Sequence, residues 1–149
     1  MTVGRPSATR APLAPGADFD ALSKPALHAL ADRLLVDDLD AVERCVAFVV
    51  AETQGFWHGR ARATMCRRLK HCALSAAQRA ALVACVTGRL AAGTFSEQFK
   101  DQLRLAMHLD LPTTRRASAA CLESRVGHVR RYAAWVLSPE HLRKPPSMP

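Results

Sequence analysis

The stretches DLDAVERCVAFVVA at residues 38–51 and SAAQRAALVACVTGRLAAG at residues 75–93 decide the fold. In the first, Val42, Cys45, Val46, Val49 and Val50 recur three and four apart, the spacing that places side chains on one face of an α-helix. Ala47 and Phe48 carry the apolar surface around most of the circumference, which predicts a central helix. Asp37 or Asp38 is its expected N-cap, and Gly55 its expected left-handed end. In the second stretch Ser75 and Gln78 form a capping box, each side chain satisfying the other's free backbone N–H. Leu82, Val83, Val86 and Leu90 make the buried stripe of that helix, and Gly93 closes it.

The same period extends in both directions. Ser23, Lys24 and Pro25 start a short helix to about Leu34, with proline at an early position where its missing N–H costs nothing. A turn through Phe56, Trp57 and His58 leads to a basic helix from about Gly59 to Ala73. Another runs from about Ser96 to Leu109, with Phe95, Phe99, Leu103, Ala106 and Leu109 inward. A helix of small residues from Pro112 uses Ala117, Ala120 and Cys121, and Val126, Val129, Ala133, Val136 and Leu137 define the last. Runs of β-branched residues with period two are absent, so the fold class is all-α with about seven helices. Residues 1–17 and 143–149, without apolar period, read as disordered arms on a single domain over 18–142.

Helix starts near Asp38, Ser75 and Pro112 recur every 37 residues, and the second helices of the pairs end near Leu74 and Leu111. Such a period predicts stacked helical hairpins, with an irregular helical bundle as the alternative. Val129, Arg130, Ala133 and Leu137, echoed by Asp101, Arg104, Ala106 and Leu109, resemble the second helix of HEAT-type repeats over about residues 38–138. That resemblance implies a scaffold that binds partners along one face. One branch of such proteins, the HEAT-like DNA glycosylases, holds DNA on basic helix faces.

The 149 residues are 49% hydrophobic and 23% charged, enough for one core and too apolar for a disordered chain. The longest apolar run, Cys45 to Ala51, is far short of the roughly 20 residues that span a bilayer, so a soluble, cytoplasmic protein without membrane insertion is expected. Five cysteines in irregular spacing argue against a disulfide framework and for a reducing compartment. Cys66, His71 and Cys72 do not converge on one helix face, so no metal is expected.

Lys and Arg number 21 against 13 Asp and Glu, for a net charge of +8. Residues 18–52 are acidic, whereas residues 53–96 hold seven bases and no acid. A stretch that cannot neutralise itself locally projects a positive field toward an acidic protein or a nucleic acid. Arg60, Thr64, Arg67 and His71 line up opposite Ala61, Met65, Leu69 and Cys72 as an exposed ridge. Arg104 and His108, with Lys100, repeat it 37 residues on, and His128, Arg131 and Trp135 share a face of the last helix. Guanidinium groups on rigid helices suit carboxylate or phosphate, and Trp57 or Trp135 could fill a partner's pocket or stack on a base. The binding candidates are therefore Trp57, Arg60, Arg67, His71, Lys100, Arg104, His108, His128, Arg131 and Trp135. Arg115, Arg116 and Ser118 match a basophilic kinase site only by chance on this reading, since their helix is expected to be buried. The chain has no glycine-rich phosphate loop, nucleophile elbow or metalloprotease helix, so neither catalysis nor a cofactor is expected. The function expected is an adaptor that engages an acidic macromolecule through its basic helix faces; the alternative is a nucleic-acid-binding protein that uses the same arginines on phosphates.

Overall fold

The computed structural model describes residues 22–141 except 52, 54–56, 96 and 97, and among these it is helical throughout, without strands. Seven α-helices follow one another: α1 (Lys24–Arg33), α2 (Leu39–Val50), α3 (His58–Leu69), α4 (Ala76–Ala92), α5 (Phe99–Leu109), α6 (Leu111–Ala120) and α7 (Gly127–Val136). Short 3-10 turns occupy Leu34–Val36 and Pro139–His141.

The starts are set by side-chain caps. Ser23 Oγ accepts from the Ala26 amide, Asp38 from the Asp40 and Ala41 amides, and Ser75 with Gln78 forms the expected capping box. Asp38 also takes the Arg33 guanidinium at 3.0 Å, so hydrogen bonding and charge hold its carboxyl below the usual carboxylate range. Asp37, the other candidate cap, instead makes the turn before α2 in the left-handed region, at φ 54°. Gly93 ends α4 at φ 75°, where its carbonyl meets His128 Nε2 at 3.2 Å and an added Cβ would crowd Val129 at 3.2 Å.

Three boundaries differ from the sequence expectation. Helix α2 stops at Val50, and Gly55 lies outside the described residues. Helix α3 stops at Leu69, well before Ala73 and Leu74. Helix α6 begins at Leu111 because Asp110 is its cap, accepting from the Thr113 amide at 3.1 Å, and Pro112 occupies the first turn. The expected arms, 1–17 and 143–149, also lie outside the described residues.

Alternate helices pack on one another. Helices α1, α3 and α5 form one row and α2, α4 and α6 a second, and the hairpin pairs α2–α3, α4–α5 and α6–α7 join the rows. Two adjoining cores lie between them. The first gathers α1, α2 and α3 around Leu27, Phe48, Met65 and Leu69; the second gathers α4, α5 and α7 around Leu90, Phe99, Leu103 and Val136. Phe48 and Phe99 are the largest side chains fully withdrawn from water. Helix α6 turns Thr114 and Ser118 inward, while the expected core residue Ala120 is exposed and Ala117 only half-buried. Ser118 is fully buried, so the kinase-like match around it is inaccessible in the fold. Val126, also expected in the core, is 40% exposed beyond the end of α7.

Candidate functional site

Arginine placement separates scaffold from surface. Two of the bases in the acid-free stretch point inward: Arg62 is 9% exposed and Arg89 is 7% exposed. Arg89 donates to the Ala51 carbonyl at 3.0 Å and to Gln102 Oε1 at 2.9 Å. Arg62 donates to Thr53 Oγ1 and to the Ala51 carbonyl, with its guanidinium 5.1 Å from the Phe48 ring centre. Both cations therefore meet the C-terminal end of α2, where unpaired carbonyls and the helix dipole favour positive charge. Sequence reading missed both. Each sits one or two turns from buried apolar residues, Arg62 before Cys66 and Leu69, and Arg89 after Leu82 and Val86.

The expected ridge on α3 is present and lies beside α5, but it is partly neutralised. Arg60 and Arg67 are exposed and Thr64 is half-buried. Arg67 is not a free cation, because it pairs with Asp101 of α5 at 2.8 Å, and Asp101 also reaches Arg104 at 3.4 Å. Arg68 pairs with Asp32 of α1 at 3.1 Å. Lys24, Arg60, Lys100 and Arg131 have no ion-pair partner among the described residues.

Two tryptophans organise the cations that are left. Lys24 Nζ lies 3.8 Å from the ring centre of Trp57, and the Arg60 guanidinium carbon lies at 4.9 Å. At the other end Lys100 Nζ and the Arg104 guanidinium carbon lie 4.9 and 5.2 Å from the ring centre of Trp135. An indole face attracts a cation through its quadrupole and leaves the full charge available to an anion. Trp57 heads α3 in the left-handed region, at φ 72°, an uncommon conformation for a bulky residue.

A groove of about 410 Å³ opens beside Trp57 between α1 and α3. Leu27, Ala31, Ala61 and Ala63 give it aliphatic lining, while Lys24, His28, Arg60, Arg67 and Arg68 line it with cationic and imidazole groups. Among the described residues that line it there is no carboxylate.

The remaining candidates are placed otherwise. His128 is half-buried, its ring 5.0 Å from that of Phe95 and its Nε2 against the Gly93 carbonyl, so it fastens the α4 end to α7 and does not join a solvent face. Trp135 is half-buried against the second core and meets His141 edge-on at 4.6 Å, so the expected solvent-facing indole is in fact a packed one. Arg131 is exposed beside Gly127. His71 and His108 are both exposed, and neither lines the groove. Partial burial, then the charges of Lys70, Arg79 and His71, lower the His108 pKa.

No nucleophile stands in the groove, and burial pushes the Cys45 and Cys66 thiols up to about 12. Among the described residues no three His, Cys, Asp or Glu side chains are grouped to hold a metal ion, and no helix is long and apolar enough to cross a membrane. No family model matches the chain, and neither a curated protein nor a solved structure does.

Proposed function

We propose that this protein is a non-catalytic binding module that engages an acidic protein partner through the cationic row formed by α1, α3 and α5. The observation that carries the reading is the support of Lys24, Arg60 and Lys100 by indole rings instead of carboxylates. Where Arg67 spends its charge on Asp101, these three hold theirs for an incoming anion. The packing of α1 on α3 on α5, and of α2 on α4 on α6, supports a winding of the HEAT-repeat type, in which one row presents a continuous face. Five free cysteines, three of them buried, are consistent with a reducing, cytoplasmic location.

The aliphatic lining of the groove favours protein over nucleic acid, because a phosphodiester backbone gains nothing from Leu27 and Ala31. The face of Trp57 on which a base would stack already carries Lys24.

The test is binding of a fluorescent glutamate homopeptide and of duplex DNA to the full chain across a salt series. The expected result is peptide binding that weakens with salt and drops about tenfold when Lys24, Arg60 and Lys100 are replaced together by glutamine, with helicity unchanged. Binding of DNA alone, with a log–log salt slope of about −0.9 per phosphate contacted, would transfer the role to nucleic acid. Binding of neither polyanion at low salt would overturn the reading.

A further inference from the structure

The groove beside Trp57 offers more than charge, and its two chemistries lie side by side. Its lining is aliphatic, supplied by Leu27 and Ala31 from α1 and Ala61 and Ala63 from α3. Lys24 and Arg60 stand at the Trp57 end. A ligand that carried only charge would leave the apolar lining wet; one that carried only hydrocarbon would have to strip water from the cations. The occupant that satisfies both surfaces has an aliphatic side chain flanked by carboxylates.

Three further features agree. The volume of about 410 Å³ lies within the usual range of pockets for small ligands, and it suits one or two side chains better than a long polymer groove. Helix α3 starts at Trp57 without a side-chain cap and with no acid in its first turn, so its N-terminal dipole adds positive potential at the same end. The left-handed backbone of Trp57 sets the indole at the head of α3, where it carries Lys24 from α1 and Arg60 from α3 over one ring. A cation held this way is ordered before the partner arrives, which lowers the entropic cost of binding.

We infer that the Trp57 groove is a docking pocket for a short acidic peptide segment of a partner protein, taking a leucine-like side chain onto Leu27 and Ala61 and the flanking carboxylates onto Lys24 and Arg60. The inference rests on the acidic-partner reading and adds to it a specificity: charge brings the partner to the row, and the aliphatic side chain selects the place.

Two capped peptides of equal charge test it on the full chain, a glutamate homopeptide and one in which leucines are interspersed among the glutamates. The leucine peptide is expected to bind about tenfold tighter, the gain that burial of one aliphatic side chain gives when part of it is offset by ordering. Arg60→Gln is expected to weaken both peptides severalfold. Thr64→Leu, a half-exposed position lining the groove, fills the space without altering charge, and should abolish the leucine gain while leaving the homopeptide unaffected. Equal binding of the two peptides, with Thr64→Leu silent, would overturn the pocket and leave the acidic-partner reading standing. Failure of both peptides to bind would overturn both together. A leucine gain that survives Thr64→Leu would place the aliphatic contact elsewhere and overturn the pocket.

Discussion

Trp57 and Trp135 each hold a lysine and an arginine over the indole, yet the two rings have different work. Trp57 heads α3 beside an open groove, and the cations it holds come from two helices of the same row. Trp135 lies within α7, packs on the second core and meets His141 edge-on. At that end Phe95, Phe99 and Tyr132 cluster in edge and stacked contacts, with Phe95 and Phe99 ring centres 4.2 Å apart. One indole therefore faces a space and the other closes one. A shared local chemistry does not fix a shared role; what lies beyond the ring does.

The sharpest way to break this contrast is to remove each ring. Trp135→Ala should destabilise the fold by about 3 kcal/mol, since it opens the second core where the last helix covers it. Trp57→Gly should cost no more than about 1 kcal/mol, because relief of the left-handed conformation offsets lost packing. Urea unfolding of the two variants measures both. Equal losses would mean that both rings serve the core.

Buried and exposed arginines provide the next test. Arg89→Ala should cost about 2 kcal/mol, because the Ala51 carbonyl and Gln102 lose a buried donor, whereas Arg60→Gln should stay within about 0.5 kcal/mol. Comparable effects would erase the division between scaffold and surface arginines.

That division also marks how far the sequence can be read. Caps are local, so Ser23, Asp38 and Ser75 stand where the residue types alone place them. The apolar stripes of α2, α4 and α5 likewise follow from period, because burial of Leu82, Val86, Phe99 and Leu103 needs only the face they share. Charge is different. Arg62 and Arg67 both belong to the acid-free basic stretch, but one bonds to the end of α2 and the other to Asp101, and neither partner is near in sequence. The meeting of Lys24 with Trp57 is equally non-local, since α1 reaches it only by packing on α3. His128 was legible as polar at a helical position, but not as the residue that fastens the Gly93 carbonyl. Helix α6 shows a further limit: Thr114 and Ser118 are buried although apolar periodicity points to Ala117 and Ala120, because Thr114 returns its hydroxyl to the Asp110 carbonyl at 2.9 Å and carries no unmet polarity inward.

The smallest effect expected is on pH. Burial lowers the His108 pKa in the folded chain below its ordinary value of 6.5, so the unfolded chain takes up that proton first as pH falls. The neutral ring's contribution is complete above pH 6.5 and is lost as pH drops through the lower folded value. His108 lies outside the Trp57 groove, so His108→Gln should flatten this part of the stability profile and leave peptide binding unaltered. Chemical denaturation at a series of pH values checks the first point, and a steeper profile in the variant would reverse the assignment.

The central claim is that the cationic row receives its partner at the Trp57 end. The two indole N–H signals of the full chain, followed in nitrogen–proton spectra during titration with the leucine-containing glutamate peptide, report on it directly. The account predicts a saturating shift of the Trp57 signal together with amides of α1 and the first turns of α3, while the Trp135 signal stays in place. A shift confined to Trp135, or equal movement of both signals, would contradict it.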